Sequence, residues 1–285
     1  METHAPEEQG CLYIIPTPIG NLEDITLRAL RILKEVDLVA AEDTRHSRRL
    51  FNHFGITTPL TSYYREKEAE KSAYLLQLVK EGKNIGLISD AGTPAISDPG
   101  AILVHNAHKE GVTVVPLPGP SAVTTAMSAS GYTGSGFLFI GFSPSKKGQR
   151  QKLLTSLVNS EYPVVFYESP RRVEAFLAEA IEIFGNRQSF WAREITKSFE
   201  DLESASLSEL LEKAKTKQFK GEFVLIIHPG EKESVQGETL EELICWYRDN
   251  SDLSLKDVSK KLATDLGVSK SVVYQQALSL WKNKQ

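Results

Sequence analysis

The sequence predicts an α/β protein that ends in a small helical module. Over about the first 120 residues, short apolar runs alternate with stretches of helical periodicity, the pattern of βαβ units around a mainly parallel sheet. A second set of strands and helices follows, and beyond a polar, charged stretch the pattern is helical only. With 285 residues the chain is long enough for roughly two domains and a core that needs no crosslinks.

The first α/β domain is expected over 12–119, after a flexible tail at 1–11. Apolar runs rich in β-forming residues predict strands at Leu12–Ile15, Val36–Ala41, Pro59–Ser62, Ile85–Ser89 and Val112–Val115. Apolar residues at helical spacing predict helices at Asp24–Lys34, Thr44–Phe54, Glu66–Glu81 and Pro99–Glu110. A glycine follows each of the last three helices, where a left-handed cap commonly ends a helix.

The second α/β domain is expected over 120–229. The same criteria predict strands at Phe137–Ile140, Val164–Tyr167, Phe190–Ala192 and Glu222–Ile227, and helices at Ser121–Ser130, Gln149–Val158, Val173–Phe184 and Leu207–Ala214. A linker at 230–237 leads to a helical module at 238–285, with helices at Leu240–Tyr247, Leu255–Thr264 and Ser269–Trp281. Gly267 and Ser269 predict a tight turn and an N-cap between the last two, a helix-turn-helix-like arrangement.

The composition is that of an ordinary globular protein. Lys plus Arg is 33 and Asp plus Glu is 37, a formal net charge of −4, and 41% of the residues are hydrophobic. These values exclude a disordered, a collagen-like or a disulfide-stapled chain. Cys11 and Cys245 stand far apart and form no CxxC pair, so a structural zinc site is not expected. Neither a signal-peptide pattern nor an apolar run of membrane-spanning length is present, so we expect a cytoplasmic protein.

Three loops at the ends of predicted strands are rich in Pro, Gly and small polar residues: 16–21, 89–100 and 116–122. Ligands of open α/β sheets lie at the carboxyl ends of the strands, so these loops predict a binding site. The middle loop is long for a βα connection, whereas the first is also explained as a rigid turn. Neither GxGxxG nor GxxxxGK[ST] occurs, and HExxH and GxSxG are missing too. The loops suit a neutral or cationic ligand held by backbone groups.

Charged clusters also follow strands, at 42–46, 167–172 and 193–200, and a basic run includes Lys146, Lys147, Arg150 and Lys152. Paired arginines bind phosphate with bidentate geometry. Helix capping, surface ion pairs and solvated loops explain the same residues, so the choice stays open at this point. From Ser251 to the end the chain has six Lys and three Asp, a local charge of +3 that would favour binding to nucleic acid. A helical module that packs on its own domain or on a dimer partner is an equal alternative.

Taken together, seven motifs resemble those of the tetrapyrrole methylase superfamily and, within it, the 16S ribosomal RNA (cytidine-2′-O)-methyltransferases. In chain order they are TPIGNLEDITLRAL from Thr17, AAEDTRHSRRL from Ala40, SDAGTPAISDPG from Ser89, PLPGPSA from Pro116, YESPRR from Tyr167, REITKSFE from Arg193 and GEFVLII from Gly221. EDTR, DAGTP and ESPRR distinguish this branch from the corrin and diphthamide enzymes. The resemblance covers about residues 12–229, and the C-terminal module is also typical of the branch.

The resemblance implies two α/β domains of the tetrapyrrole methylase type, with S-adenosylmethionine in the cleft between them, and a homodimer. The expected substrate is the 2′-hydroxyl of the decoding-centre cytidine, 1402, of 16S rRNA in the small ribosomal subunit. By matching position, the expected cofactor contacts are Thr17, Pro18, Ile19, Gly20, Asp90, Ala91, Gly92, Ile96, Ser121, Ala122, Tyr167 and Ile195. The sulfonium of the cofactor already activates the methyl group, so no metal is expected.

A ribose hydroxyl is a weak acid, and a positioned proton acceptor assists its attack. The candidate acceptors are Asp43 and Glu200, while Arg45 and Lys197 are candidates for lowering the pKa of the hydroxyl. Exposed cations are expected to contact RNA phosphates: Arg48, Lys146, Lys147, Arg150, Arg171, Arg172, Lys260, Lys261 and Lys270. Two alternatives are a methylase of a small tetrapyrrole or corrin with the same fold and a non-enzymatic regulator that binds nucleic acid.

Overall fold

The computed structural model describes residues 9–216, 219–230, 239–251 and 253–281. Most of the expected tail and residues 231–237 of the expected linker lie outside these ranges. The chain divides into two compact units, Met1–Pro229 and Gly230–Gln285. None of the helices in the described ranges is long and apolar enough to cross a membrane.

The first sheet is parallel throughout and has the strand order β3-β2-β4-β1-β5. Its strands are β1 (Cys11–Ile14), β2 (Leu38–Ala41), β3 (Leu60–Ser62), β4 (Ile85–Ile88) and β5 (Thr113–Pro116). Its helices are α1 (Leu27–Glu35), α2 (Thr44–Phe54), α3 (Glu68–Lys80) and α4 (Ala101–Lys109). Because β1 lies between β4 and β5, the loops after these three strands leave the sheet side by side.

The predicted helix at Asp24–Lys34 was wrong at its start. Leu22–Asp24 forms a separate 3-10 turn, and α1 begins at Leu27. Ile25 ends the turn, and Thr26 caps α1, because its hydroxyl accepts the Ala29 N–H at 3.0 Å. By contrast, α2 has the predicted limits and ends at Gly55, whose φ of 62° is left-handed.

The second sheet is mixed, with the order β6-β7-β10-β8-β9. Its strands are β6 (Leu138–Phe142), β7 (Val164–Glu168), β8 (Gln188–Arg193), β9 (Asp201–Ser206) and β10 (Phe223–Ile227). Its helices are α5 (Ala122–Ala129), α6 (Lys147–Leu157), α7 (Val173–Phe184) and α8 (Leu207–Thr216). Only β6 and β7 pair in parallel. The sequence analysis missed β9, since the sequence DLESAS is polar and lies at the edge of the sheet.

A buried ion pair joins α6 to α7. The Arg150 guanidinium donates to both carboxylate oxygens of Glu179, at 2.6 and 2.9 Å, and the two side chains are 8% and 7% exposed. Arg150 also donates to the carbonyl oxygens of Pro144 and Ser145. The expectation that Arg150 contacts RNA is therefore corrected: its guanidinium is buried and binds a carboxylate and two carbonyl groups of its own fold.

The C-terminal unit is a three-helix module of α9 (Leu240–Asn250), α10 (Leu255–Leu266) and α11 (Lys270–Trp281). Thr239 and Glu242 form a capping box at the start of α9. A small core holds the helices together: Ile244, Val258, Leu262, Val273 and Ala277. Gly267 ends α10 in a left-handed conformation, with φ of 66°, which confirms the predicted turn before α11.

Removing one partner of the Arg150–Glu179 pair is expected to destabilise the fold strongly, because the other charge stays buried without compensation. We expect Glu179→Ala to lower the free energy of unfolding by about 3–5 kcal/mol, measured by urea denaturation of the full chain. Arg31→Ala is the control, since it breaks an exposed pair with Glu35 and should leave the unfolding midpoint nearly unchanged. Equal effects of the two variants would contradict the structural role of the buried pair.

A cleft between the two sheets as the candidate active site

A cleft of about 290 Å³ lies between the loops of the first sheet and the strands of the second. One wall comes from the loops after β1, β4 and β5, and the other from β7, β8, β10 and their ends. Many of the expected cofactor contacts line it: Ile19, Asp90, Ala91, Gly92, Ile96, Ser121, Ala122, Tyr167 and Ile195. The structure thus brings together in space three loops that the sequence places far apart.

Hydrogen bonds tie these three loops to one another. The backbones of Thr17 and Gly92 exchange two hydrogen bonds of 2.9 Å, which join the loops after β1 and β4. The buried Thr17 hydroxyl donates to the Ser89 carbonyl, and the Thr93 hydroxyl donates to the Pro120 carbonyl in the loop after β5. Thr17 therefore supports the wall of the cleft from behind instead of lining it.

Of the remaining expected cofactor contacts, Pro18 and Gly20 are outside the lining of the cleft. Gly20 nevertheless has a clear steric role. A Cβ at this position would lie 2.4 Å from Cγ of Lys197, so the side chain of Lys197 packs directly over the glycine. A larger residue at position 20 would push Lys197 away.

Lys197 is the one expected catalytic residue that lines the cleft in the described structure. Its ammonium forms an ion pair of 2.7 Å with Glu194, which lines the same cleft. Gly221 makes room for this pair, since a Cβ there would overlap the Glu194 carboxylate. Glu194 and Thr196 have positive φ values of 51° and 67°, a strained conformation for residues with side chains. The backbone is thus bent so that it holds the pair in the cleft.

Carboxylates dominate the charge of the cleft: Glu42, Asp90, Asp98, Glu194 and Glu222. Burial raises the pKa of Glu42, and the negative charges of Asp98 and Asp90 raise it further. Burial also raises the pKa of Asp98, with Asp90 and Glu222 adding to the effect. Such a site favours a cationic ligand, because a positive charge would relieve the repulsion among the carboxylates. Within the described ranges, no group of three or more His, Cys, Asp or Glu side chains is placed to hold a metal ion.

Aromatic rings form the side of the cleft next to β6 and β7. The rings of Phe142 and Tyr167 meet edge to face with centroids 5.5 Å apart, and Phe139 packs on the other side of Tyr167 at 4.9 Å. Burial raises the pKa of Tyr167 to about 12, so its hydroxyl stays protonated at neutral pH.

The other expected catalytic residues lie outside the cleft lining. Asp43 caps α2 by accepting the Arg45 N–H at 2.8 Å, and its carboxylate is paired with the Arg45 guanidinium. These hydrogen bonds hold the pKa of Asp43 well below its usual range. Glu200 accepts the Thr196 N–H at 2.6 Å and lines a neighbouring depression with Asp24 and Thr26. Capping and loop stabilisation account for these residues.

The expected RNA contacts differ in accessibility. Exposed members are Arg48, Lys146, Lys147, Arg171, Lys260, Lys261 and Lys270. Arg172, by contrast, donates to the backbone carbonyls of Ser143 and Pro144 and pairs with the buried Glu168 at 3.0 Å. One nitrogen of its guanidinium is used inside the fold, but the side chain is still 29% exposed, so an RNA contact of Arg172 stays a prediction.

Several lining residues were missed by the sequence analysis: Glu42, Thr93, Ser97, Asp98, Phe142, Ala192, Glu194, Glu222, Phe223 and Val224. Glu42, Asp98 and Glu194 lie inside the charged clusters and loops already singled out, so their position after strands was an available signal. Phe142 and Glu222 had no such signal, because only the packing of β6 and β10 brings them to the cleft.

The structure is similar to solved structures of corrin and porphyrin methyltransferases. Cobalt precorrin-4 methyltransferase has a TM-score of 0.57 at 19% identity and covers 75% of this chain and 93% of its own. Uroporphyrin-III C-methyl transferase from Thermus thermophilus, complexed with S-adenyl homocysteine, has a TM-score of 0.53 at 20% identity. The match covers 76% of this chain and 97% of the Thermus thermophilus chain. The fold is therefore that of the tetrapyrrole methylases.

Sequence comparison defines the family more closely. The family model described as Tetrapyrrole (Corrin/Porphyrin) Methylases matches residues 11–211. The Halalkalibacterium halodurans protein named Ribosomal RNA small subunit methyltransferase I is 42% identical to this chain over 279 residues. The match covers 94% of each of the two chains. The Pseudomonas aeruginosa protein of that name is 42% identical over 276 residues, with 94% of this chain and 97% of its own covered. The chain belongs to the tetrapyrrole methylase family and, within it, to the branch of these small-subunit methyltransferases, as its motifs predicted. It is a methyltransferase.

Repulsion among the cleft carboxylates should appear in the pH dependence of stability. Because the pKa of Glu42 is raised in the folded state, its ionisation destabilises the fold as the pH rises through that pKa. Glu42→Gln should therefore raise the Tm of the ligand-free protein at neutral and alkaline pH, and the gain should vanish below the ordinary glutamate pKa of 4.5. Thermal unfolding across about pH 4 to pH 8 measures this.

The control for this measurement is Glu182→Gln, which removes an exposed carboxylate on α7 outside the cleft lining. The same pH-dependent gain in both variants would show that net charge, and not the environment of the cleft, is the cause.

Proposed function

We propose that the protein transfers the methyl group of S-adenosylmethionine to the 2′-hydroxyl of cytidine 1402 of 16S rRNA in the small ribosomal subunit. The observation that carries the proposal is full-length similarity to the ribosomal RNA small subunit methyltransferases. These proteins match 94–96% of this chain, including the C-terminal unit. The solved corrin and porphyrin methyltransferases cover only 75–77% of it.

The charge of the cleft supports S-adenosylmethionine as the cofactor. Its sulfonium and amino group are cationic, and the lining carboxylates Glu42, Asp90, Asp98 and Glu222 supply the opposite charge. The loops around Gly92 and Ser121 also present backbone groups. When bound, the cofactor supplies a methyl group that the sulfonium has already activated, so the proposal invokes no metal.

Two lining residues have chemistry suited to the acceptor hydroxyl. The raised pKa of Glu42 makes its carboxylate a better proton acceptor than an exposed one, and we assign it the proton of the 2′-hydroxyl. The Lys197 ammonium, held by Glu194, would stabilise negative charge developing on the oxygen. The bound cofactor would supply its methyl group to the 2′-oxygen, and Glu42 would take the proton of that hydroxyl.

Exposed cations supply contacts for RNA phosphates on both units. Lys146, Lys147 and Arg171 lie on the second α/β domain, Arg48 on the first, and Lys260, Lys261 and Lys270 on the C-terminal module. The family resemblance implies a homodimer, and we place the protein in the cytoplasm. We assign the chain two α/β domains, 12–119 and 120–229, and a helical module, 238–285.

Methyl transfer to small ribosomal subunits tests the function directly. We expect labelled methyl from S-adenosylmethionine to enter subunits from a strain that lacks this enzyme, and mass spectrometry to locate 2′-O-methylcytidine at position 1402. Subunits from the parent strain, which already carry the modification, are the control. Cofactor binding without transfer to the subunit would favour the alternative, methylation of a small tetrapyrrole.

Phosphate contacts should appear in the salt dependence of subunit binding. The double variant Lys146→Gln/Lys147→Gln should bind more weakly and reduce the slope of log K against log salt by about 2, roughly 1 for each lost phosphate contact. The matched control is Lys34→Gln/Lys109→Gln, which removes the same charge from exposed positions of α1 and from the end of α4. An unchanged slope in the first variant would remove these lysines from the RNA interface.

A further inference from the structure

Phe142, the last residue of β6, is an exposed aromatic residue in the lining of the cleft. It is 49% exposed, and among the lining residues of the described structure it shares this exposed apolar character with Ile96, which is 56% exposed. Its ring meets the ring of Tyr167 edge to face, and Ser97 also lines the cleft. The open ring therefore offers apolar and aromatic surface to a ligand in the cleft.

A β-bulge aims this ring into the cleft. The register of β6 against β7 shifts between Phe139 and Gly141, and Gly141 has a φ of 77° that side chains rarely adopt. A Cβ on Gly141 would lie 3.0 Å from the Ser97 hydroxyl, so the bulge also packs closely against the loop after β4. Bulges of this kind commonly redirect a side chain next to an active site.

A buried network fixes the chain that follows Phe142. Ser143 hydrogen-bonds to the fully buried carboxylate of Glu168, and Arg172 donates to the Ser143 carbonyl at 2.6 Å. This network joins the start of the loop after β6 to the turn after β7. It thereby places three exposed cations, Lys146, Lys147 and Arg171, on the two segments that flank the aromatic wall.

An open ring with cations on both flanking segments suits a nucleotide, whose base stacks on the ring while its phosphates meet the cations. S-adenosylmethionine has no phosphate, so the cofactor would leave these cations unexplained. We propose that Phe142 is the stacking platform for the base of the methyl-accepting nucleotide, which leaves the RNA stack and rests on this ring while its ribose enters the cleft. The assignment deepens the proposed function and rests on it.

Kinetics with undermethylated small subunits as the titrated substrate, at saturating S-adenosylmethionine, test the assignment. Phe142→Ala should lower kcat/KM for the subunit roughly 5- to 100-fold, the range for loss of one base–aromatic stack. Phe142→Tyr and Phe142→Trp should keep most of the activity, whereas Phe142→Leu, apolar but without a π face, should lose it. Calorimetric titration with S-adenosylmethionine should give the same Kd for every variant.

Phe137→Ala is the matched control. It removes another exposed aromatic ring just before the same strand, 40% exposed and outside the cleft lining, and should leave kcat/KM unchanged. A weaker cofactor Kd in Phe142→Ala, with unchanged kcat/KM for the subunit at saturating cofactor, would assign the ring to the cofactor and overturn the inference. Wild-type activity on Phe142→Ala or full activity of Phe142→Leu would overturn it as well. A wild-type protein that transfers no methyl group to the subunit would overturn the proposed function and this inference with it.

Discussion

The pair of backbone hydrogen bonds between Thr17 and Gly92 is the contact on which the candidate site depends. Parallel strands end at the same edge of a sheet, but their loops are free to diverge after leaving it. Here the exchange of two N–H···O bonds of 2.9 Å joins the loops after β1 and β4. The Thr93 hydroxyl then links the second loop to the third. Three segments distant in sequence thus become one rigid wall of the cleft.

That wall, together with the opposite sheet, concentrates negative charge. Glu42 and Asp98 are partly buried near other carboxylates, and each has a raised pKa. Repulsion among these carboxylates lowers the stability of the ligand-free protein. A bound cation would relieve the repulsion, so the same carboxylates favour ligand binding. The Lys197–Glu194 pair sits in the same cleft under backbone strain, which is a second local cost retained at the site.

Internal ion pairs stabilise the second sheet, which forms the other wall of the cleft. Two arginines form internal ion pairs here: the buried Arg150 binds Glu179 on another helix, and the partly exposed Arg172 holds the loop after β6 against the buried Glu168. Each of these ions has close partners, as buried charges require. Arg172 thereby ties the chain that follows Phe142 to the end of β7, while Lys146 and Lys147 stay exposed.

Local patterns in the sequence determined much of the architecture. Periodicity and capping residues predicted α2 and α7 with their observed limits, and the Gly267 turn of the C-terminal module. The position of loops after strands predicted most of the cleft lining, because parallel strands must present those loops at one edge. Seven short motifs in order were enough to predict the family that the comparisons established.

Tertiary structure alone decided which charged and aromatic residues serve the site. Arg150 lies in the same basic run as Lys146 and Lys147, yet a carboxylate on another helix removes it from the surface. Asp43 and Glu42 are neighbours in sequence, but only Glu42 lines the cleft. Phe142 reaches the cleft through a bulge whose register depends on β7. Periodicity and capping act over a few residues, whereas burial, ion pairing and register depend on partners distant in the chain.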